Sequence, residues 1–196
     1  SNHEMLVIFA INVAICTIFL MAYSAYFVVA IRSATNVLEE RNDELDFMVH
    51  YDALTNMRNR QNMDEIFEEY ECYEKDYCVV QMDLDNFKQV NDTYGHKTGD
   101  ELIQAFADVI RENTRDDDFV CRMGGDEFAV FFFELEEERV ICERAESIIK
   151  DFAKIRTEMG CSMCSVSIGI MTKYYGGEEL DCEQLYEKAD QALYYV

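Results

Sequence analysis

Residues 119–133 read Phe119-Val-Cys-Arg-Met-Gly-Gly-Asp-Glu-Phe-Ala-Val-Phe-Phe-Phe133. A Gly-Gly pair between two runs rich in β-branched and aromatic residues, Phe119–Arg122 and Phe128–Phe133, predicts a β-hairpin with Gly124-Gly125-Asp126-Glu127 at its tip. Upstream, the apolar run Tyr77–Leu84 predicts a strand finishing Val79-Val-Gln-Met-Asp-Leu-Asp85. Alternation sends Val80, Met82 and Leu84 to one face of that strand and Gln81, Asp83 and Asp85 to the other. Periodicity predicts helices at Met57–Cys72, Phe87–Tyr94, Gly99–Arg115, Glu136–Met159 and from Leu180 onward, and a strand at Met163–Met171. The order β-α-α-β-β-α-β-α mixes a hairpin with crossover helices. It predicts an α+β domain with a largely antiparallel central sheet flanked by helices.

This domain, residues 51–196, is preceded by two segments of different composition. Met5 to Ile31 is a run of 27 positions without a charged side chain. As a helix it reaches roughly 40 Å, enough to cross a hydrocarbon core of about 30 Å. A secretory signal is the rival reading, but basic residues normally precede its shorter apolar region. Residues 1–32 are therefore expected to be a transmembrane helix. Arg32 follows the run and no Lys or Arg precedes it, which favours a cytoplasmic C-terminal side. Residues 33–50 form the next segment, in which Ala34, Leu38, Arg41, Leu45 and Met48 follow a 4, 3, 4, 3 spacing. That is the seam of a two-stranded helical stalk, although Arg41 is a poor seam residue. The chain begins at Ser1, which points to a fragment.

Composition closes off several functions. The chain carries 40 acidic against 17 basic side chains, a net charge of −23. Nucleic-acid binding, which needs clustered Lys and Arg, is not expected. With no proline there are no Pro-rich recognition segments. Only His96 of the three histidines lies inside the domain, so a His-rich zinc site is not expected either. The eight cysteines are scattered. Cys161-Ser-Met-Cys164 stands without a second pair, and buried free thiols are the expectation.

The chemistry gathers at the strand end and the hairpin tip. Carboxylates on adjacent strands repel one another unless a cation lies between them. Oxygen-only ligation with open positions suits Mg²⁺ completed by phosphate oxygens, and a nucleoside triphosphate supplies those. The loop after Asp85 can present backbone N–H groups and Lys88 to phosphate. Asn91 and Asp100 can read a base edge: a carboxylate accepts from guanine N1–H and N2–H₂, donors that adenine lacks.

Asp83-Leu-Asp-Asn-Phe-Lys-x-x-Asn91-Asp-x-x-Gly95-His96-x-x-Gly99-Asp100 followed by Gly124-Gly-Asp-Glu-Phe128 resembles the GGDEF family of diguanylate cyclases. Asp52-Ala-Leu-Thr-Asn-Met-Arg-Asn-Arg60 is similar to the family's opening segment, and Ala189-Asp-Gln-Ala-Leu-Tyr194 to its last helix. The resemblance implies a nucleotidyl-cyclase, palm-like fold and condensation of two GTP into cyclic di-GMP with release of two pyrophosphates. It implies that Asp83, Asp126 and the Leu84 carbonyl hold Mg²⁺ or Mn²⁺, with Glu127 a further ligand or base. Asn91 and Asp100 would bind guanine, and Asn86, Phe87 and Lys88 the phosphates. Gly124 and Gly125 would admit the ribose and α-phosphate, side chains being absent there. Each subunit offers one GTP site, so a homodimer is implied. Arg115-x-x-Asp118 is similar to the family's product-inhibition site, where arginine forks onto phosphate or guanine. A catalytically weak module that senses cyclic di-GMP through Arg115 and Asp118 is the alternative. An ATP-using cyclase is disfavoured by Asp100. The family's final helix is followed by a Lys and an Arg; here Tyr194-Tyr195-Val196 ends the chain, so a C-terminal truncation is expected. The implied location is a bacterial inner membrane, with the domain in the cytoplasm.

Overall fold

The structure, a computed structural model, describes residues 2–70, 77–133, 138–173 and 182–193, which divide between two units, 1–47 and 48–196.

The first unit belongs to one helix, α1 (Asn2–His50), which continues without a break across the composition change at residue 32. No glycine or proline interrupts residues 2–50, so nothing in the backbone stops it. Inside its apolar part, the Thr17 hydroxyl donates to the Ala14 carbonyl (2.8 Å) and Ser24 to Met21 (2.9 Å). These hydroxyls are satisfied by their own helix, as a hydrocarbon environment demands. By length and composition α1 can cross a membrane, with an 18-residue window of mean hydropathy 2.6. Leu38, Leu45 and Met48, three positions of the expected seam, are exposed, and Arg41 pairs instead with Glu44 on its own helix at 2.9 Å.

The second unit is the α+β domain. Its elements run β1 (Arg58–Asn59), α2 (Arg60–Tyr70), β2 (Tyr77–Asp85), α3 (Phe87–Tyr94), α4 (His96–Glu112), β3 (Phe119–Gly124), β4 (Glu127–Phe133), α5 (Glu138–Glu158), β5 (Ser165–Lys173) and α6 (Cys182–Leu193). The sheet order is β1-β3-β4-β2-β5. Only the short β1–β3 pair is parallel; β2–β4, β2–β5 and β3–β4 are antiparallel, as expected. β2 lies between β4 and β5 with apolar side chains on both faces. On one face Cys78, Val80, Met82 and Leu84 join a core with α4 and α5. There Phe106 meets the Phe128 ring edge-on at 5.0 Å and Phe152 at 4.7 Å. On the other face Tyr77, Val79, Phe131 and Ala129 pack with Met63 of α2 and Ala189 of α6.

Several boundaries differ from the sequence expectation: α2 begins at Arg60 rather than Met57, and β5 runs Ser165–Lys173 rather than Met163–Met171. α4 begins at His96 rather than Gly99, because the chain turns at Gly95 (φ 86°), whose N–H closes α3 on the Asn91 carbonyl at 2.9 Å. β3 runs on to Gly124 through an irregularity at Arg122–Gly124. β1, unforeseen, is a two-residue strand held beside Cys121 and Arg122. The expected helix positions Cys72, Glu136 and Leu180, and Tyr194 of the last motif, lie outside the described residues. Cys78, Cys121, Cys161 and Cys164 are buried free thiols, whereas Cys142 is free but exposed. Burial pushes the Cys164 thiol up to about 12, the opposite of what metal or redox chemistry needs.

Candidate active site

Near its end β2 carries Asp83, beside the β3–β4 turn that carries Asp126 and leads into Glu127. Asp83 and Glu127 are register partners, so their side chains share one face. The turn uses Gly124 (φ 145°) and Gly125 (φ 58°), conformations that a Cβ would strain. It is stitched to β2 by the Leu84 N–H, which donates to the Asp126 carbonyl at 3.3 Å. Asp126 is thereby held next to Leu84 and Asp83. The Asp83 carboxyl is pushed up to about 6, first by burial and then by the charges of Asp126, Glu127, Asp85 and Asp190. Glu127 is raised for the same reasons: burial first, then Asp126 and Asp190. Such crowding of hard oxygen donors fits a divalent cation, which would remove the repulsion. Among the described residues no three His, Cys, Asp or Glu side chains form a ready-made cage. The fit is to an ion held by two carboxylates and a carbonyl and completed by phosphate, which is the habit of Mg²⁺.

The crowding has a measurable consequence for the metal-free protein. An aspartate whose folded pKa lies above its unfolded value of about 4 favours folding while protonated. That contribution is whole below pH 4 and lost as pH rises through 6. In chelator at pH 7, Asp83→Asn is therefore expected to melt a few degrees above the parent. The gain is about 1 kcal/mol once solvent screening of a half-buried group is allowed for. At pH 4 the two melting curves should coincide.

The loop after β2 is fixed by its own side chains. Asp85 accepts from Ser165 Oγ at 2.6 Å and Ser167 Oγ at 2.8 Å, clamping β5. Asn86 takes a left-handed conformation (φ 60°) and donates to the Met163 carbonyl at 3.3 Å. Phe87 packs on the core while Lys88 stays exposed. Asn91 lies where α3 crosses α4: a Cβ on Gly99 would overlap its Oδ1. Gly99 therefore admits the Asn91 side chain one residue before Asp100, which is exposed.

Sequence reasoning missed the residue that supports the turn. Arg122 donates to the Gly125 carbonyl through Nε at 3.1 Å and Nη2 at 2.7 Å, and to Asp52 Oδ1 at 2.9 Å. Burial alone would raise Asp52, but Arg122 and the Thr55 hydroxyl and amide hold its carboxyl below the usual range. A lone arginine between Cys121 and Met123 in a strand was the available signal, since such a charge needs a partner.

The Arg115–Asp118 motif closes a turn at the start of β3. Asp118 N–H donates to the Arg115 carbonyl at 3.1 Å, and Asp118 Oδ2 accepts from the Arg115 amide at 2.7 Å. The same oxygen accepts from Arg144 Nη1 of α5 at 2.9 Å, with the aspartate side chain only 6% exposed. Arg144 also lies over the Phe132 ring at 5.3 Å. Asp118 is thus held by a residue that the sequence did not single out. A cavity of about 390 Å³ adjoins the motif, lined among others by Tyr51, Arg58, Arg111, Arg115 and Phe119. The structure does not bring this motif to the carboxylate site.

Known proteins resemble the chain across this whole unit. The family model "Diguanylate cyclase, GGDEF domain" matches residues 49–196. Diguanylate cyclase DgcS of Shewanella oneidensis is 35% identical over 156 residues, covering 77% of this chain and 50% of DgcS. The probable diguanylate cyclase DgcT of Escherichia coli (strain K12) is 34% identical over 152 residues, 75% of this chain and 33% of DgcT. The chain spans half or less of the length of these curated relatives. Among solved structures, the coiled coil and GGDEF domain of DgcB from Caulobacter crescentus, in complex with c-di-GMP, superposes with a TM-score of 0.73 at 28% identity, covering 85% of this chain and 90% of that one. With its sheet, its glycine turn and a match through the entire folded unit, the chain belongs to the GGDEF-domain diguanylate cyclase family.

Proposed function

We propose that the chain condenses two GTP into cyclic di-GMP and two pyrophosphates, as part of a membrane-tethered signalling protein. What supports this reading is the pairing of Asp83 with Glu127 across β2 and β4, with the Asp126 carbonyl tied to the Leu84 N–H at a glycine turn, beside a loop suited to phosphate. Asp83, Asp126 and the Leu84 carbonyl would hold Mg²⁺ or Mn²⁺. When bound, the ion neutralises phosphate charge and makes the attacking hydroxyl more acidic. Asn91 and Asp100 orient guanine. The backbone of Asn86 and Phe87, with Lys88, holds the phosphates, and Gly124 and Gly125 leave room for ribose and α-phosphate. The 3′-oxygen of one GTP bonds to the α-phosphorus of the other, its bond to pyrophosphate breaks, and the hydroxyl proton leaves. Glu127, its carboxyl raised by burial and neighbouring charge, is suited to receive that proton. The reciprocal step closes the ring.

One GTP per domain requires two domains face to face. The exposed seam of residues 33–50 supplies a way to pair two copies, and Met5–Ile31 a way to hold them at a membrane. Incubation of the chain with GTP and Mg²⁺, with nucleotides separated by chromatography, tests the reading. Cyclic di-GMP is the expected product; its absence at concentrations that favour the dimer would overturn the proposal.

Arg115 and Asp118 are proposed to bind the product and restrain the enzyme. Asp118 is pre-set by Arg144, and the guanidinium of Arg115 matches a phosphate or guanine edge. Arg115→Ala is expected to raise the cyclic di-GMP concentration needed for half inhibition at least about tenfold, the loss of one charge-assisted pair. An unchanged inhibition curve would remove the motif from regulation.

A further inference from the structure

Gln81 stands in the middle of β2 in an otherwise apolar run, Val79-Val-Gln-Met82, and is 1% exposed. Its register partners are Ala129 on β4 and Gly169 on β5, so small residues flank it on both sides of that face. The trough they leave is filled by α6. A Cβ at Gly169 would overlap the Ala189 carbonyl oxygen and lie 3.2 Å from the Leu193 nitrogen; the helix backbone rests directly on the sheet. Across this contact Gln81 Nε2 donates to the Tyr186 hydroxyl at 3.1 Å and to Asp190 Oδ1 at 2.9 Å. Tyr186 and Asp190 are four residues apart, on one face of α6. Gln81 Oε1 has no partner among the described residues.

A buried carbonyl without a donor is destabilising, and leucine would fill the same volume without it. What glutamine adds is direction. Gln81 lies two residues before Asp83 on the same face of β2, and Asp83 is the register partner of Glu127. A side chain on α6 tied to Gln81 is therefore tied next to the carboxylate pair. In keeping with this geometry, the Asp190 charge bears on both Asp83 and Glu127.

We propose that Gln81 is a positioning residue of the cyclase site: its amide fixes Asp190 of α6 beside Asp83 and Glu127, making Asp190 part of the negative charge that draws in the divalent cation. Asp190 then acts without ligating, and α6 contributes to the site through one hydrogen bond from the sheet. The inference rests on the reading of Asp83 as a cation ligand.

Mn²⁺ titration followed by electron paramagnetic resonance, with a non-cyclisable GTP analogue present, tests it independently of turnover. Gln81→Leu is expected to keep or raise the melting temperature and to weaken Mn²⁺ binding about fivefold, the size of one displaced charge a few ångströms from the ion. Asp190→Asn should do the same, and the double variant should be no weaker than either single one, because both changes remove one contribution. Should leucine disturb folding, Gln81→Met gives the same comparison. Wild-type Mn²⁺ affinity in the Gln81 variants would overturn the proposal, as would effects that add in the double variant. Failure of the parent chain to make cyclic di-GMP while these shifts appear would instead count against the cyclase reading alone.

Discussion

Asp126→Ala is expected to lower cyclic di-GMP formation by at least about 100-fold, the scale on which loss of a pre-set electrostatic group slows phosphoryl transfer. Its melting temperature in chelator should stay close to that of the parent. The separation of the two effects follows from how the turn is built. The Asp126 carbonyl, not its carboxylate, receives the Leu84 N–H, and alanine keeps that carbonyl. Gly124 and Gly125 supply the unusual backbone angles on either side of the bend, and neither is altered. The carboxylate adds charge to a crowd that already pushes Asp83 up to about 6. Its removal should cost the metal-free fold nothing and deprive the proposed cation site of a ligand. Turnover assays and thermal melts on the same preparation check both halves. Retained activity would remove Asp126 from the cation site.

Arg122→Leu is expected to act in the opposite sense, on the fold first. Removing one member of a largely buried pair leaves the other charge uncompensated, at about 3 kcal/mol. Here the arginine side chain is 11% exposed and Asp52 24% exposed, and the Gly125 carbonyl loses two donors as well. A unit of this size should melt roughly 10 °C lower. Asp52→Asn combined with Arg122→Leu should be less destabilised than the sum of the single changes, since the stranded carboxylate is gone. Activity should fall beyond what the lost stability explains, because Arg122 braces the turn that presents Asp126. Denaturant melts of the four-protein cycle check the coupling; additive effects would mean that the ion pair contributes nothing of its own.

How much of this was legible beforehand depended on period and on spacing. β2, the β3–β4 hairpin and α3 announce themselves through alternation or through Gly-Gly between aromatic runs, and their bounds differ from expectation by a few residues at most. β1 has two residues, too few for any period, and it forms because β3 offers an unpaired edge. The helix after Tyr94 starts early because a single glycine, Gly95, suffices to turn the chain. Among site residues, those inside contiguous motifs could be named from sequence. Arg122, Arg144 and Gln81 could not, since their partners are Asp52, Asp118, Tyr186 and Asp190, 26 to 109 positions away. What the sequence did offer was their oddity: a charge or an amide where an apolar residue belongs is a sign that a partner exists, without saying which.

The most direct test of the account is a crystal of the chain with Mn²⁺ and a non-cyclisable GTP analogue, read by the anomalous signal of manganese. The expected result is a peak about 2.0–2.3 Å from a carboxylate oxygen of Asp83 and of Asp126, with phosphate oxygens completing the shell. Nucleotide bound with manganese held elsewhere, or those two carboxylates facing away from it, would contradict the account.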